Sequence, residues 1–311
     1  MTSPDPLVTV GVDIGGTATR AVSWSAGQPV GDAVVSTASF DQGEPAVRVR
    51  ELWHLVRGVV PAKKTVAAIG IGASGPIQPA AGVILNWDTL QWFSGFDLPS
   101  LLQSVSGVPV FLENDAMAAA VGEHRVGAGK GTQRMLMVTI GTGVGVAFIC
   151  DGRPFRGTDG RHPEAGHIGV TADAGRCYCG TTGCWEPSAS RIRLESEVQV
   201  VSASPNGTSL AKAATAARAG QAAASAAFAA HGARIGRGLA VLETVFSPAL
   251  TVIGGSISAY FDLLSPGIEH SRARAPHFVT GEPVVAVQLG VLAGAIGAAV
   301  LAEEGLASLR H

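Results

Sequence analysis

The sequence has almost no net charge and few charged residues. Its 311 residues include 22 Lys and Arg and 24 Asp and Glu, which gives a formal net charge of −2, and 15% of the residues are charged. Proteins that bind nucleic acid or an anionic membrane through surface charge need a basic excess, so neither partner is expected. The length allows two domains of ordinary size, each with its own hydrophobic core.

Long hydrophobic runs are scarce. One run, Val284–Ala302, resembles a membrane span, but Pro283 precedes it, Gln288 interrupts it and Gly290 divides it. This pattern predicts a buried strand followed by a helix of small residues that is too short to cross a bilayer. Residues 1–6 are polar and do not resemble a secretory leader. We therefore predict a soluble, cytoplasmic protein.

Cysteine is rare, but three of the four cysteines are close together. Cys177, Cys179 and Cys184 form a C-x-C-x4-C motif, and His167 lies ten residues before it. Three thiolates and one imidazole are a ligand set that a tetrahedral structural zinc ion prefers. Ordinary core cysteines and a disulfide are the alternatives, and a cytoplasmic location argues against the disulfide. The motif therefore predicts a loop held by zinc.

Two carboxylates flank this loop, at Glu164 and Glu186. An ionised carboxylate offers several acceptor sites for hydroxyl groups. A rigid loop with a carboxylate near each end therefore suits the binding of a polyol, and solvated loop charges are the alternative interpretation.

Glycine, in contrast, is abundant, with 41 residues, about twice its usual share. A D-x-G-G-T turn at 13–17 separates two β-branched runs and predicts a hairpin. Bare glycines let backbone N–H groups approach phosphate oxygens, and an acidic residue at a strand end can hold magnesium through water. Although glycine-rich hairpins are common, the turn predicts a phosphate and magnesium site at Asp13, Gly15, Gly16 and Thr17.

Two later stretches repeat this arrangement. The stretch from 135 to 150 places a second glycine turn between two strands, at Gly141, Thr142 and Gly143. Two such units about half a chain apart predict a duplicated architecture with a phosphate-facing turn in each half and the polyphosphate in the cleft between the halves. Another strand ends at Gly254 and Gly255, where an adenine or ribose can approach the backbone closely.

Turn and polar residues also follow two predicted buried strands. Thr65–Gly72 leads into a turn that contains Gly75, and Val108–Leu112 ends before Asn114 and Asp115, ahead of an alanine-rich helix. Asp115 thus stands where a strand ends and a helix begins, the usual position of functional side chains in open α/β sheets. A helix N-cap is the alternative, because Asn and Asp are preferred there.

In order and spacing, these motifs resemble the ROK family of repressors, open reading frames and kinases, within the actin and hexokinase-like ATPase superfamily. The resemblance spans nearly the whole chain and rests on D-I-G-G-T at 13–17, E-N-D-A at 113–116, I-G-T-G-V-G at 140–145, E-A-G-H at 164–167, C-Y-C-G-T-T-G-C-W-E at 177–186 and I-G-G-S at 253–256. It implies an α/β protein with the actin/hexokinase-like, or ribonuclease H-like, ATPase fold: two duplicated α/β domains around a cleft. We expect a small domain at 1–115 plus 296–311, and a large domain with the zinc loop at 116–295.

The resemblance also implies roles for individual residues. Asp115 matches the family's catalytic base, and Asp13 matches the residue that positions magnesium. The sugar contacts implied are Gly75, Asn86, Asn114, Glu164, His167 and Glu186, with His167 also a zinc ligand. The nucleotide contacts implied are Asp13, Gly15, Gly16, Thr17, Gly141, Thr142, Gly143, Gly254 and Gly255. The chain departs from the family pattern at Val146 and Ala147, where more glycine is usual.

The function implied is that of an ATP-dependent hexose kinase with Mg²⁺, a structural Zn²⁺ ion and a homodimeric or tetrameric assembly. Glucokinase is favoured, and N-acetylmannosamine, N-acetylglucosamine and fructose kinases are alternatives. A sugar-sensing regulator is less favoured because the D-I-G-G-T strand begins at residue 7, which leaves no room for a preceding DNA-binding domain. The preferred hexose and the use of polyphosphate in place of ATP stay open.

Overall fold

A computed structural model describes residues 7–171, 175–202, 209–274 and 281–309. Residues 1–6, interpreted above as lacking a leader, lie outside the described residues. The chain forms two compact units. The first comprises Met1–Gln133, Ala147–Pro163 and Gln288–His311, and the second comprises Arg134–Val146 and Glu164–Val287.

The chain contains both strands and helices, in short runs of each type. The first part contains β1 (Leu7–Ile14), β2 (Ala18–Ser25), β3 (Gln28–Ser36), α1 (Pro45–Gly58), β4 (Thr65–Ala73), β5 (Ile77–Gln78), β6 (Val83–Ile84), α2 (Leu98–Ser106), β7 (Val110–Asn114) and α3 (Asp115–Val126). The remainder contains β8 (Met135–Ile140), β9 (Val144–Cys150), β10 (Arg153–Pro154), α4 (Trp185–Ala189), α5 (Arg191–Ser202), α6 (Leu210–Arg218), α7 (Ala222–Phe246), β11 (Leu250–Gly254), α8 (Phe261–Arg272), β12 (Val284–Ala286) and α9 (Ala293–Ser308).

Each predicted glycine hairpin is present. The first sheet has the order β3-β2-β1-β4-β7, and the second has the order β10-β9-β8-β11-β12. Strands β1 and β2 are antiparallel around the first turn, whereas β1, β4 and β7 are parallel. The carboxyl ends of β1, β4 and β7 therefore meet at one edge of the first sheet, where Asp13 and Asp115 were predicted to act.

Alternation along β1 sets the two faces of the first sheet. Val10 and Val12 belong to a core cluster that includes Val49 of α1. Gly11, on the opposite face, lies so close to α9 that an added Cβ would be 1.9 Å from the carbonyl oxygen of Ala295. Successive side chains of a strand point to opposite faces, so Asp13 shares the face of Gly11 and looks toward α9.

Helix α9 corrects one expectation. With the preceding one-turn segment it spans Gly290–Ser308, and these 19 residues are long and apolar enough by length and composition to cross a membrane. The expectation that the helix would be too short was therefore wrong. The predicted buried helix of small residues is confirmed, because Ala293 to Val300 are buried and α9 packs on β1, β4 and α3. We interpret α9 as a core helix of the first unit.

The compact units have different bounds from the predicted domains. Helix α3 was assigned to the large domain, but it packs on α9 in the first unit. Glycines make this contact close, since a Cβ at Gly122 would be 2.5 Å from the carbonyl oxygen of Ala293 and one at Gly297 would be 1.6 Å from that of Ala118. As functional domains, 1–115 plus 296–311 and 116–295 stay a prediction.

Replacing Gly297 with Ala should destabilise the protein by about 1–3 kcal/mol or more, the usual cost of overpacking. The new Cβ would meet backbone atoms of α3, which cannot rotate away. Gly58→Ala is the matched control, because no atom lies within 4 Å of its Cβ position in α1. Urea unfolding measures both variants, and equal midpoints would contradict the close contact.

Candidate active site

Two carboxylates and one hydroxyl gather at the edge of the first sheet. Asp13 is the penultimate residue of β1, Ser74 follows β4, and Asp115 follows β7. The hydroxyl of Ser74 donates a hydrogen bond of 2.7 Å to Oδ2 of Asp115. The parallel strands therefore place a potential base beside an acid that can hold a metal ion.

The N-cap of α3 is Asn114 and not Asp115. Oδ1 of Asn114 accepts hydrogen bonds from the backbone N–H groups of Ala116 (2.9 Å) and Met117 (3.2 Å). Asp115 is the first helical residue, and its Oδ1 also lies 2.8 Å from the Ala116 nitrogen. The interpretation of Asp115 as the N-cap is therefore wrong, and its Oδ2, which accepts from Ser74, takes no part in capping the helix.

The predicted sugar contacts of the first unit surround the turn after β4. The side-chain amide of Asn86 donates to the carbonyl oxygen of Ser74 (3.4 Å), and its Oδ1 accepts from the N–H of Thr89 (3.0 Å). A Cβ added to Gly75 would be 3.3 Å from Nδ2 of Asn114. Sequence reasoning missed Ser74, although a hydroxyl at the carboxyl end of a parallel strand could have indicated it.

Asp13 lies in an environment that disfavours its charge. Burial first, and then the Asp115 carboxylate, raise the pKa of Asp13 to about 7, while Arg20 opposes this rise. Nη1 of Arg20 is 4.0 Å from Oδ2 of Asp13. On the other side, a Cβ at Gly294 of α9 would be 2.8 Å from Cγ of Asp13. A cation bound at Asp13 would favour the ionised form.

The raised pKa of Asp13 should make the stability of the protein depend on pH. Because the folded pKa of Asp13 is about 7 and its ordinary value is 3.8, the unfolded chain releases this proton first. The wild type should then lose stability as pH rises from 3.8 to about 7, by about 1.4 kcal/mol for each unit of pKa difference. Asp13→Asn has no carboxyl to titrate and should not lose stability in this way. The unfolding free energy of the variant minus that of the wild type should therefore increase between pH 3.8 and about 7 and stay constant above that. Urea unfolding without added Mg²⁺ measures this difference, and a pH-independent difference would contradict the assignment.

In the first glycine turn, hydrogen bonds hold Gly15 while the next two residues are exposed to solvent. The N–H of Gly15 donates to the carbonyl oxygen of Ala18 (3.2 Å), and the hydroxyl of Thr37 donates to the carbonyl oxygen of Gly15 (2.6 Å). Gly16 and Thr17 are exposed. The turn has the exposure that a phosphate contact requires, and that role stays a prediction.

The two glycine turns predicted for the second unit lie side by side. Strand β11 runs parallel to β8, with Gly254 opposite Thr139. Gly255 has a left-handed φ of +75°, and a Cβ there would be 2.4 Å from the carbonyl oxygen of Ile140, so only glycine fits. In the turn after β8, the N–H of Gly141 donates to the carbonyl oxygen of Gly143 (2.9 Å).

The predicted zinc ligands converge. The candidate ligand atoms of His167, Cys177, Cys179 and Cys184 lie within 4.8 Å of one another. Sγ of Cys177 is 3.5 Å from Nδ1 of His167, and the sulfurs of Cys179 and Cys184 are 3.6 Å apart. A disulfide needs about 2.05 Å, whereas sulfurs about 2.3 Å from a tetrahedral zinc ion are ~3.8 Å apart. The four residues therefore fit a zinc ion.

The loop backbone and its hydrogen bonds support this fit. Gly180 and Gly183 have left-handed φ values of +91° and +81°, which allow the tight turns between the cysteines. A hydrogen bond with the backbone of Thr181 lowers the pKa of Cys179, which favours the thiolate that a metal ion binds.

Tyr178 is a residue of this site that sequence reasoning missed. Its hydroxyl lies 3.1 Å from Nε2 of His167, and the two rings form an edge-on pair with centroids 5.2 Å apart. Burial and the carboxylates of Glu186 and Glu164 raise the pKa of Tyr178 above its usual range. All three predicted sugar ligands of the second unit therefore lie near Tyr178. Its position between two ligand cysteines is the sequence feature that could have indicated it.

Comparison with known proteins decides the family. The model of the ROK family matches residues 9–305. The chain belongs to the ROK family. It is 32% identical over 316 residues to the glucokinase of Streptomyces coelicolor, covering 96% of this chain and 98% of that protein. It is 36% identical over 135 residues to the xylose repressor of Bacillus subtilis, but covers only 34% of that protein.

A crystal structure of a ROK family glucokinase from Streptomyces griseus, in complex with glucose and AMPPNP, is similar throughout. Its TM-score is 0.82 and its identity is 32%, covering 96% of this chain and 100% of that one. The predicted α/β, actin/hexokinase-like fold of a ROK sugar kinase is thereby confirmed.

In this ROK chain the predicted site residues form two sets, one in each compact unit. The first unit holds Asp13, Gly15, Gly16, Thr17, Gly75, Asn86, Asn114 and Asp115. The second holds Gly141, Thr142, Gly143, Glu164, His167, Cys177, Cys179, Cys184, Glu186, Gly254 and Gly255. Gly254 is buried, and a Cβ there would be 2.5 Å from Cε of Met137 and 2.8 Å from Cγ1 of Val287, so packing favours a small residue at this position apart from any nucleotide contact.

Proposed function

We propose that this chain is an ATP-dependent glucokinase that phosphorylates the 6-hydroxyl of glucose. The observation that carries the proposal is the placement of Asp115. Its carboxylate stands at the start of α3, is hydrogen-bonded by Ser74 and neighbours Asp13, while Asn114 performs the capping. Near full-length similarity to glucokinases supports the substrate assignment.

Asp115 acts as the base. As the O6 oxygen of glucose attacks the γ-phosphorus in line, the O6–H proton passes to Oδ2 of Asp115, the new O–P bond forms, and the bond to the β-phosphate oxygen breaks to release ADP. Phosphoryl transfer depends mainly on positioning and charge stabilisation. The Ser74 hydroxyl, which donates to the same oxygen, orients the carboxylate.

Mg²⁺ supplies charge neutralisation for the phosphates when it is bound, and Asp13 is the residue that would hold it through water. Its pKa of about 7 fits this role because about half of the Asp13 carboxyls are ionised at neutral pH, and a bound cation would favour the ionised form further. The N–H groups of the first and second glycine turns would take the phosphate oxygens, and the turn at Gly254 and Gly255 would lie by the adenosine.

His167, Cys177, Cys179 and Cys184 would hold a zinc ion in a structural role. Four protein ligands fill a tetrahedral site, so no position stays open for an activated water. With the loop held by zinc, Glu164, His167 and Glu186 would bind sugar hydroxyls from fixed positions. Tyr178 occupies Nε2 of His167 at 3.1 Å, so a sugar hydroxyl that reaches this nitrogen must displace the phenol.

The assembly and location complete the proposal. A homodimer, which can pair into a tetramer, and a cytoplasmic location accord with the function, and neither nucleic acid nor a membrane is a partner. The repressor similarity covers a third of the xylose repressor, whereas the glucokinase similarity covers nearly all of that enzyme, which favours the kinase over the regulator.

Incubation of the purified chain with glucose, ATP and Mg²⁺ tests the proposal. We expect stoichiometric ADP and a product that NMR identifies as glucose 6-phosphate, with no ADP beyond slow hydrolysis when sugar is omitted. ADP release without a phosphorylated sugar, or phosphate on another hydroxyl, would refute the assignment.

A further inference from the structure

The carboxylate of Glu186 contacts the second glycine turn. The backbone N–H of Val144 donates a hydrogen bond of 2.9 Å to Oε2 of Glu186. We infer that Glu186 has a second task besides holding sugar: it positions the turn at 141–144 for the nucleotide, and thereby couples sugar binding to nucleotide binding. This inference rests on the proposed function.

The turn fits tightly against the segments that carry the sugar ligands. A Cβ at Gly143 would be 2.5 Å from Oε2 of Glu186, and a Cβ at Gly166 would be 2.2 Å from the carbonyl oxygen of Val144. The N–H of Arg191 donates to the carbonyl oxygen of Gly141 (2.8 Å). The turn therefore touches E-A-G-H, α4 and the start of α5, so it cannot shift without disturbing them.

Helix α4, which carries Glu186, is itself fixed by α7. Nε of Arg234 donates to the carbonyl oxygen of Ser188 (3.2 Å), and Nε2 of His231 lies 3.0 Å from that of Ala189. The indole N–H of Trp185 donates to the carbonyl oxygen of Arg234 (3.1 Å). Because α4 is held at both ends, its carboxylate is a fixed support for the turn and not a loose surface charge.

The two oxygens of Glu186 can serve two partners at once. Among the described residues, Oε2 accepts the Val144 N–H and Oε1 accepts no hydrogen bond. A carboxylate has acceptor sites on both oxygens, so Oε1 can accept from a sugar hydroxyl while Oε2 keeps the turn in place. One side chain then links the two substrates.

Binding of AMPPNP with Mg²⁺ in the absence of sugar tests the second task. Loss of a hydrogen bond to a charged group typically costs about 1.5–3 kcal/mol, so Glu186→Ala should weaken AMPPNP binding about tenfold to a hundredfold. Glu186→Gln should restore most of the affinity, because its amide oxygen can accept the Val144 N–H. Glu164→Ala, which removes the other predicted sugar carboxylate, should weaken glucose binding but keep AMPPNP affinity near that of the wild type.

A reciprocal experiment uses glucose in the absence of nucleotide. Gly143→Ala places a Cβ against Glu186 and should weaken glucose binding severalfold, although Gly143 is assigned to the nucleotide. Gly141→Ala is the matched control, because its nearest atom, Oγ of Ser256, is 3.9 Å away, and it should keep glucose affinity. If Glu186→Ala does not fold, the comparison of Gly143→Ala with Gly141→Ala still tests the inference.

The inference and the proposed function fail separately. Wild-type AMPPNP affinity in Glu186→Ala, or an equal loss in Glu164→Ala, would overturn the coupling even if the wild type makes glucose 6-phosphate. Unchanged glucose affinity in Gly143→Ala would overturn it as well. A wild type that phosphorylates no glucose refutes the proposed function, whatever the binding results.

Discussion

Replacing Asp115 with Asn should lower kcat by about two to four orders of magnitude, the usual contribution of general base catalysis. The amide has nearly the size of the carboxylate, and its oxygen can still accept the 2.7 Å hydrogen bond from Ser74, but it cannot take the O6 proton. Glucose affinity should change much less, because the lost interaction belongs to the transition state. Steady-state kinetics with a coupled ADP assay measures both parameters.

Two variants separate this chemical role from packing. Ser74→Ala removes only the group that orients the carboxylate and should lower kcat far less than Asp115→Asn. Asn114→Ala removes the cap of α3 and should cost about 1 kcal/mol of stability, which urea unfolding detects. Turnover of Asp115→Asn close to that of the wild type would exclude Asp115 as the base.

Replacing Cys179 with Ser should release zinc, destabilise the loop and raise the KM for glucose by about tenfold or more, as loss of ligand orientation does in metal sites. AMPPNP affinity should change comparatively little, because Glu186, which supports the turn at 141–144, lies on α4, and α4 is held by hydrogen bonds to α7 that do not involve the metal. Metal analysis, thermal unfolding and glucose kinetics are the measurements.

Cys150 provides the matched control for this substitution. It is the one cysteine outside the motif and is half-buried at the end of β9. Cys150→Ser should keep the zinc content and glucose KM of the wild type. If metal analysis finds no zinc in the purified wild type, or if Cys179→Ser and Cys150→Ser have the same stability and glucose KM, the zinc assignment is contradicted.

Local sequence patterns predicted the elements that carry the site. A β-branched run, a glycine turn and another such run specify a hairpin, because only glycine allows the close approach and the following residues favour strands. The structure places hairpins at β1–β2 and β8–β9. Asp115 could be placed between strand and helix for the same reason, since its neighbours on both sides have strong propensities.

Contacts between distant residues could not be predicted in this way. The hydrogen bond between Ser74 and Asp115 joins residues 41 apart in sequence, and that between Val144 and Glu186 joins residues 42 apart. The packing of α3 on α9 depends on Gly122 and Gly297 meeting across the fold. Hydrophobic periodicity carries no information on which distant residues will be in contact. The contacts of Ser74 and Tyr178 and the bounds of the compact units were therefore not predicted from the sequence.

The most direct test of the account is the comparison of kcat/KM for glucose, N-acetylmannosamine, N-acetylglucosamine and fructose, each with ATP and Mg²⁺. We expect the highest kcat/KM for glucose, and a loss of that activity in Asp115→Asn. A higher kcat/KM for an N-acetylhexosamine or for fructose would contradict the glucokinase assignment, and no phosphorylation of any of the four sugars would contradict the kinase itself.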